Sequence, residues 1–146
     1  MHLGKIFNAS LIYATFRSAT PIIYAALCAA ITQQADILNI GTEGITLVGA
    51  FMAVAVSYLT GSWILGVLVA MVSGLAMAMI MAVGNIKFKA DICAIGMGIN
   101  MFALAITKFL LNAWLGQSGT FMSPDIKSIP KVHIPFLTSI PVLDTI

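Results

Sequence analysis

Charge is scarce in this chain. Only 8% of its 146 residues are Asp, Glu, Lys or Arg, against about 25% in a typical soluble domain, and 60% are hydrophobic. Together with a mean hydropathy of +1.05, that shortage excludes a soluble globular fold and makes the chain an integral membrane protein in contact with lipid. Seven basic and five acidic residues are scattered along it for a net charge of +2. No basic patch interleaved with aromatics is left to hold nucleic acid, and no nucleic-acid partner is expected.

Cysteine and histidine are equally sparse. Cys28 and Cys93 lie in apolar segments with neither the CxxC spacing of a metal site nor the density of a disulfide scaffold, and read as packing residues. His2 and His133 fall outside the apolar segments, so neither pairs with a membrane-embedded serine, and no His/Cys/Asp/Glu cluster has metal-ligand spacing. Gly96-Met97-Gly98 is followed by Ile99, not by the aspartate an intramembrane aspartyl protease would need there. No catalytic residue, metal or cofactor is assigned. Of the nine methionines, Met77, Met79 and Met81 alternate and so point to different helix faces, which suits lipid contact or gap filling better than a metal path.

What the chain has in place of charge is long apolar runs. Lys5 precedes the first of them, but Arg17 interrupts it and no small-residue cleavage site follows, so it reads as the start of a membrane segment and not as a secretory signal. The first span is expected over about 16–35, with Ile6 to Thr15 as a preceding apolar or interfacial piece and Pro21 in the first turn or so, where a missing N–H is tolerated. From Gly44 to Ile86 there is no charge at all, too long a run for one crossing. Thr60-Gly61-Ser62 divides it into spans of about 44–59 and 63–86, with Tyr58 and Trp63 as interfacial aromatics. Lys87, Lys89 and Asp91 mark the next boundary, and a fourth span is expected over 92–115, with Lys108 extending its stem towards the headgroups near Trp114. The fold class expected is therefore an all-α, polytopic transmembrane bundle of about four spans.

Beyond Gly116 the pattern changes. Pro124, Pro130, Pro135 and Pro141 recur too closely for a helix, so 116–146 is expected to be an extended extracytoplasmic loop, and its apolar residues predict that it lies against the membrane domain or a partner. Lys87 and Lys89 lie close to their spans and place the third connection in the cytoplasm, although Lys127 and Lys131 compete on the other side.

Two patterns stand out within the spans. Gly66, Ala70, Gly74, Ala78 and Ala82 set a small residue at every fourth position of the third span, and Gly49, Ala53 and Ser57 repeat the device in the second. Such stripes let helices approach closely in lipid, where burial from water no longer drives association. The other is Asn39-Ile40-Gly41-Thr42-Glu43-Gly44, which puts a carboxylate between two glycines at the mouth of the charge-free run. Either Thr42 caps the second span with Glu43 in its first turn, near the positive end of the helix dipole, or the hexapeptide is a break between helical pieces inside the membrane, beside a cavity. Asp91 with Gly96, Gly98 and Asn100 is either a second such element or a loop aspartate balancing Lys87 and Lys89.

Taken in order, Ala19-Thr20-Pro21, the Asn39–Gly44 block, Gly49-Ala50-Phe51, Lys89-Ala90-Asp91, Gly96, Ile99-Asn100, Ile134-Pro135-Phe136 and Ile140-Pro141 resemble the permease subunits of bacterial ABC importers for nucleosides and simple sugars. The branch they resemble works with basic-membrane-protein-type binding lipoproteins and is similar to type II importers. Cys28 stands where that family usually has glycine, and Gln33-Gln34-Ala35-Asp36 replaces its usual Glu-Arg-Ser-Gly turn.

The resemblance implies a multi-pass protein of the bacterial cytoplasmic (inner) membrane that matches the N-terminal half of such a permease, the C-terminal half being missing. It implies a separate ABC ATPase that binds the ATP, a second permease subunit and an extracytoplasmic substrate-binding lipoprotein. Asn39, Gly41, Glu43, Gly44, Gly96 and Asn100 are then the candidates for substrate path or helix break. Two other functions fit the same composition: a non-transporting membrane scaffold or assembly protein, and a small ion-coupled carrier.

Overall fold

The computed structural model describes residues 9–116 together with Gly119 and Ile126, and the expected Pro-rich loop lies outside the described residues. The described chain is all-α, with helices α1 (Ala9–Gln33), α2 (Thr42–Thr60), α3 (Trp63–Ile86) and α4 (Ile92–Leu115). Each is long and apolar enough to cross a membrane, α1 over Ala14–Gln33. Residues up to Leu27 fall in one compact unit, and Cys28–Ser128, which holds α2, α3 and α4, forms the other.

Helix α1 starts at Ala9, well before residue 16, because nothing between Ser10 and Thr20 breaks a helix. Pro21 consequently sits mid-helix and not in the first turn, and it denies the Arg17 carbonyl its usual i+4 donor. Threonine hydroxyls bond backwards in the same stretch, Thr15 to the Leu11 carbonyl and Thr20 to the Phe16 carbonyl, both at 2.8 Å. The C-terminus of α1 closes with paired reverse bonds: the Asp36 N–H donates to the Gln33 carbonyl and the Ile37 N–H to the Thr32 carbonyl. That pattern requires a left-handed residue at its fifth position, here Asp36 with φ 61°.

The three helices of the second unit pack through their glycines. Gly61, left-handed at φ 65°, ends α2 and lets the chain reverse into α3 within two residues. The reversal sets Gly66 opposite Ala53, Ala70 opposite Gly49, and Gly74 opposite Ile45. A Cβ on Gly66 would lie 2.8 Å from the Ala53 carbonyl oxygen, so this is the closest of the three approaches. Further along α3, Met77 and Met81 are buried one turn apart and form the core with Ile99 and Ala103 of α4, while Ile45, Val48, Ile92 and Ile95 pack around them. Met79, between them, is exposed.

Asp91 opens α4 as a true N-cap, its Oδ1 accepting the Ala94 N–H at 3.0 Å. Local capping thus accounts for this aspartate. The outward faces are apolar: Leu68, Met71, Val72 and Leu75 of α3 are each more than half exposed, as lipid-facing or partner-facing side chains are.

Candidate functional site

Helix α2 is shorter than its neighbours, and it starts partway along them. Its third residue, Gly44, lies beside Ile99 and Asn100, roughly 12 Å along the α4 axis from Ile92 at 1.5 Å per residue. On the other side Gly41 meets Met81, and α3 continues past that point to Ile86. The non-helical residues that precede α2 therefore run beside helical stretches of both α3 and α4.

The start of α2 is held by groups outside it. Gly41 stands at the N-cap with no side chain to accept a hydrogen bond. Thr42 does not cap either: its hydroxyl donates back to the Asn39 carbonyl at 2.9 Å. The missing acceptor comes from α4, where Asn100 Oδ1 receives the Gly44 N–H at 2.8 Å while its Nδ2 donates to the Ile40 carbonyl at 3.0 Å. One amide thus satisfies a donor and an acceptor of the α2 entrance, each of which would be costly to leave unpaired in a water-poor interior.

Shape reinforces the two bonds. A Cβ on Gly44 would lie 2.8 Å from Asn100 Oδ1 and 2.9 Å from Asn100 Cα, and one on Gly96 would lie 2.9 Å from the Gly41 nitrogen. All three glycines are buried. Of the six candidate site residues, Gly41, Gly44, Gly96 and Asn100 therefore meet at a single contact. Asn39 adjoins it, with its Oδ1 buried and without a hydrogen-bond partner among the described residues. Glu43 is exposed in the first turn of α2, off this contact. Gly98 has open space around it.

The packing stripe of α3 divides in two. Gly66, Ala70 and Gly74 face α2, whereas Ala78 and Ala82 are exposed. Beyond the Asn100 contact, α2 and α4 line an apolar groove of about 360 Å³ with Leu47, Phe51, Val54, Leu104, Lys108 and Leu111. Phe51 and Trp114 approach there, with ring centroids 6.4 Å apart. No group of three or more His, Cys, Asp or Glu able to hold a metal occurs among the described residues. The partners that the candidate list missed, the Ile40 carbonyl and Met81, carry no chemical signature in sequence.

Residues 11–140 match the family described as branched-chain amino acid transport system / permease component. The chain belongs to this family. Its four membrane-length helices agree with a multi-pass membrane protein of that family. It is 34% identical to the guanosine ABC transporter permease protein NupQ of Bacillus subtilis (strain 168), over 99% of this chain and 45% of that protein. The putative glucose ABC transporter permease protein TsgC13 of Haloferax volcanii is 33% identical over 90% of this chain and 41% of its own length. The nucleoside ABC transporter permease protein NupC of Lactococcus lactis subsp. cremoris is 27% identical over 88% and 41%. The chain thus spans less than half the length of these relatives. No solved structure matches it significantly.

Proposed function

We propose that the chain is the N-terminal half of a permease subunit in an ATP-driven importer that moves nucleosides or simple sugars across the cytoplasmic membrane. The observation that carries this reading is the family match over residues 11–140, joined by likeness to permease proteins whose names specify guanosine, glucose and nucleoside. Its partners are then an ABC ATPase, a second permease subunit and an external substrate-binding lipoprotein. No bond in the substrate changes.

In this reading residues 39–44 form a helix break within the membrane. The start of α2 beside Asn100, roughly 12 Å along α4 at 1.5 Å per residue, supports it. Non-helical backbone at that depth is tolerated within protein or beside a cavity. Asn39 and Glu43 line the path at the break, Asn100 adds polar contact from α4, and the small residues facing between α2 and α3 hold the wall together.

Vesicles carrying the complete importer test the proposal, with ATP inside, binding protein outside, and radiolabelled guanosine or glucose as substrate. ATP-dependent accumulation of either solute is expected. Intact assembly with no accumulation would favour a scaffold, and accumulation that ignores ATP but collapses with a protonophore would favour an ion-coupled carrier.

A further inference from the structure

We infer that α2, α3 and α4 work as one rigid body, keyed to a single register by Asn100, and that transport-linked movement takes place at the edges of that body and not between its helices. The inference rests on the permease reading in assigning transport as the source of movement. Sliding of apolar helices in lipid meets little hydrophobic resistance, because the surrounding hydrocarbon is as apolar as leucine. Register must come from polar bonds and from shape.

Both are concentrated at the start of α2. The discrete change of register open to packed helices is a ratchet of one turn, roughly 5.4 Å, apart from which only small shifts of about 1 to 2 Å remain. The residues of α4 one turn from Asn100 are Gly96, Met97, Ala103 and Leu104, none of which carries an amide or hydroxyl. After such a step the Gly44 N–H and the Ile40 carbonyl would lose their partner with no substitute in reach. Shape forbids the same step. The residues one turn from Gly96 are Ile92, Cys93, Ile99 and Asn100, all bearing the Cβ that would sit 2.9 Å from the Gly41 nitrogen. Helix α3 is keyed in its own way, by Gly66 under the Ala53 carbonyl and by Gly84, where a Cβ would meet Ile95 Cδ1 at 3.0 Å. A bistable joint needs two registers that both satisfy its groups, and this one has a single such register. Asn100 is a positioning residue that acts through the α2 start.

The test places spin labels at Leu59→Cys and Asn112→Cys, exposed near the far ends of α2 and α4, in the assembled importer carrying Cys28→Ser and Cys93→Ser. The interlabel distance distribution is expected to be the same without nucleotide and with ATP bound. A shift on the order of one helical turn, about 5 Å, would overturn the rigid body. Asn100→Leu is expected to broaden or displace the distribution without any nucleotide, and an unchanged distribution would overturn the keying role. Should Asn100→Leu not fold, Asn100→Asp keeps the acceptor for Gly44, loses the donor to Ile40, and reads out the same way. Uptake measured on the same vesicles bears on the permease reading alone, while the Asn100 substitutions decide the register without it.

Discussion

Asn100 caps a helix to which it does not belong. Its Oδ1 takes the N–H of Gly44, 56 residues earlier in the chain, the donor that an N-cap side chain at Gly41 would ordinarily satisfy. Capping and docking are thereby one interaction: α2 has a satisfied N-terminus only where it lies against α4.

Asn100→Leu should for that reason cost more than an ordinary surface cap. The substitution removes the acceptor for Gly44 and the donor to Ile40 and leaves a buried N–H unpaired, a loss of about 1 to 3 kcal/mol. Asn100→Asp should lie between the two, since a carboxylate keeps the first bond. Denaturation of the purified protein in detergent orders the three, and Asn100→Leu equal to wild type would show that the bonds contribute nothing.

Glycines close together in sequence should answer differently to alanine. Gly96→Ala drives a methyl against the Gly41 nitrogen and Gly66→Ala drives one against the Ala53 carbonyl, overpacking worth about 1 to 3 kcal/mol each. Gly98→Ala meets open space and should be neutral or stabilising by up to about 1 kcal/mol through helix propensity. Comparable losses at Gly96 and Gly98 would contradict the packing described here.

That contrast marks where sequence stops being legible. Charge-free runs punctuated by Thr60-Gly61-Ser62 and by the Lys87–Asp91 cluster suffice to expect four membrane helices, because lipid penalises charge and turns need glycine. Asp91 just before an apolar run carries a readable N-cap signal as well as a charge that balances Lys87 and Lys89. Nothing local separates Gly96 from Gly98, however, since both satisfy the same spacing and only the approach of Gly41 distinguishes them. Thr42 reads as a cap from its residue type, yet its hydroxyl turns back to Asn39 because the acceptor for Gly44 comes from a distant helix. The α3 stripe splits for a geometric reason: a four-residue repeat drifts around a helix of 3.6 residues per turn, so Ala78 and Ala82 leave the face that Gly66 begins.

Asp36→Gly should stabilise the protein. Asp36 holds φ 61° to complete the reverse bonds that end α1, a conformation costing an L-residue roughly 1 to 2 kcal/mol, less for Asp than for most. Glycine removes that cost at the expense of unfolded-state entropy, for a net gain of up to about 1 kcal/mol. Asp36→Val, branched at Cβ, should lose stability at the same site, and a melting series of the three side chains checks the order.

Glu43 separates structural from transport roles at the α2 entrance. It is exposed in the first turn of a helix whose N-terminal N–H groups present partial positive charge, so Glu43→Gln should cost less than about 1 kcal/mol and leave assembly with the ATPase intact. If the side chain also lines the path at the break, ATP-driven uptake in vesicles should fall by an order of magnitude while the distance between α2 and α4 stays the same, because the Asn100 bonds do not involve it. Wild-type uptake by assembled Glu43→Gln importer would take Glu43 off the path and leave it a partner of the helix dipole. Lost assembly would instead assign it to subunit contact, which Glu43→Asp, keeping the charge on a shorter stem, should partly restore.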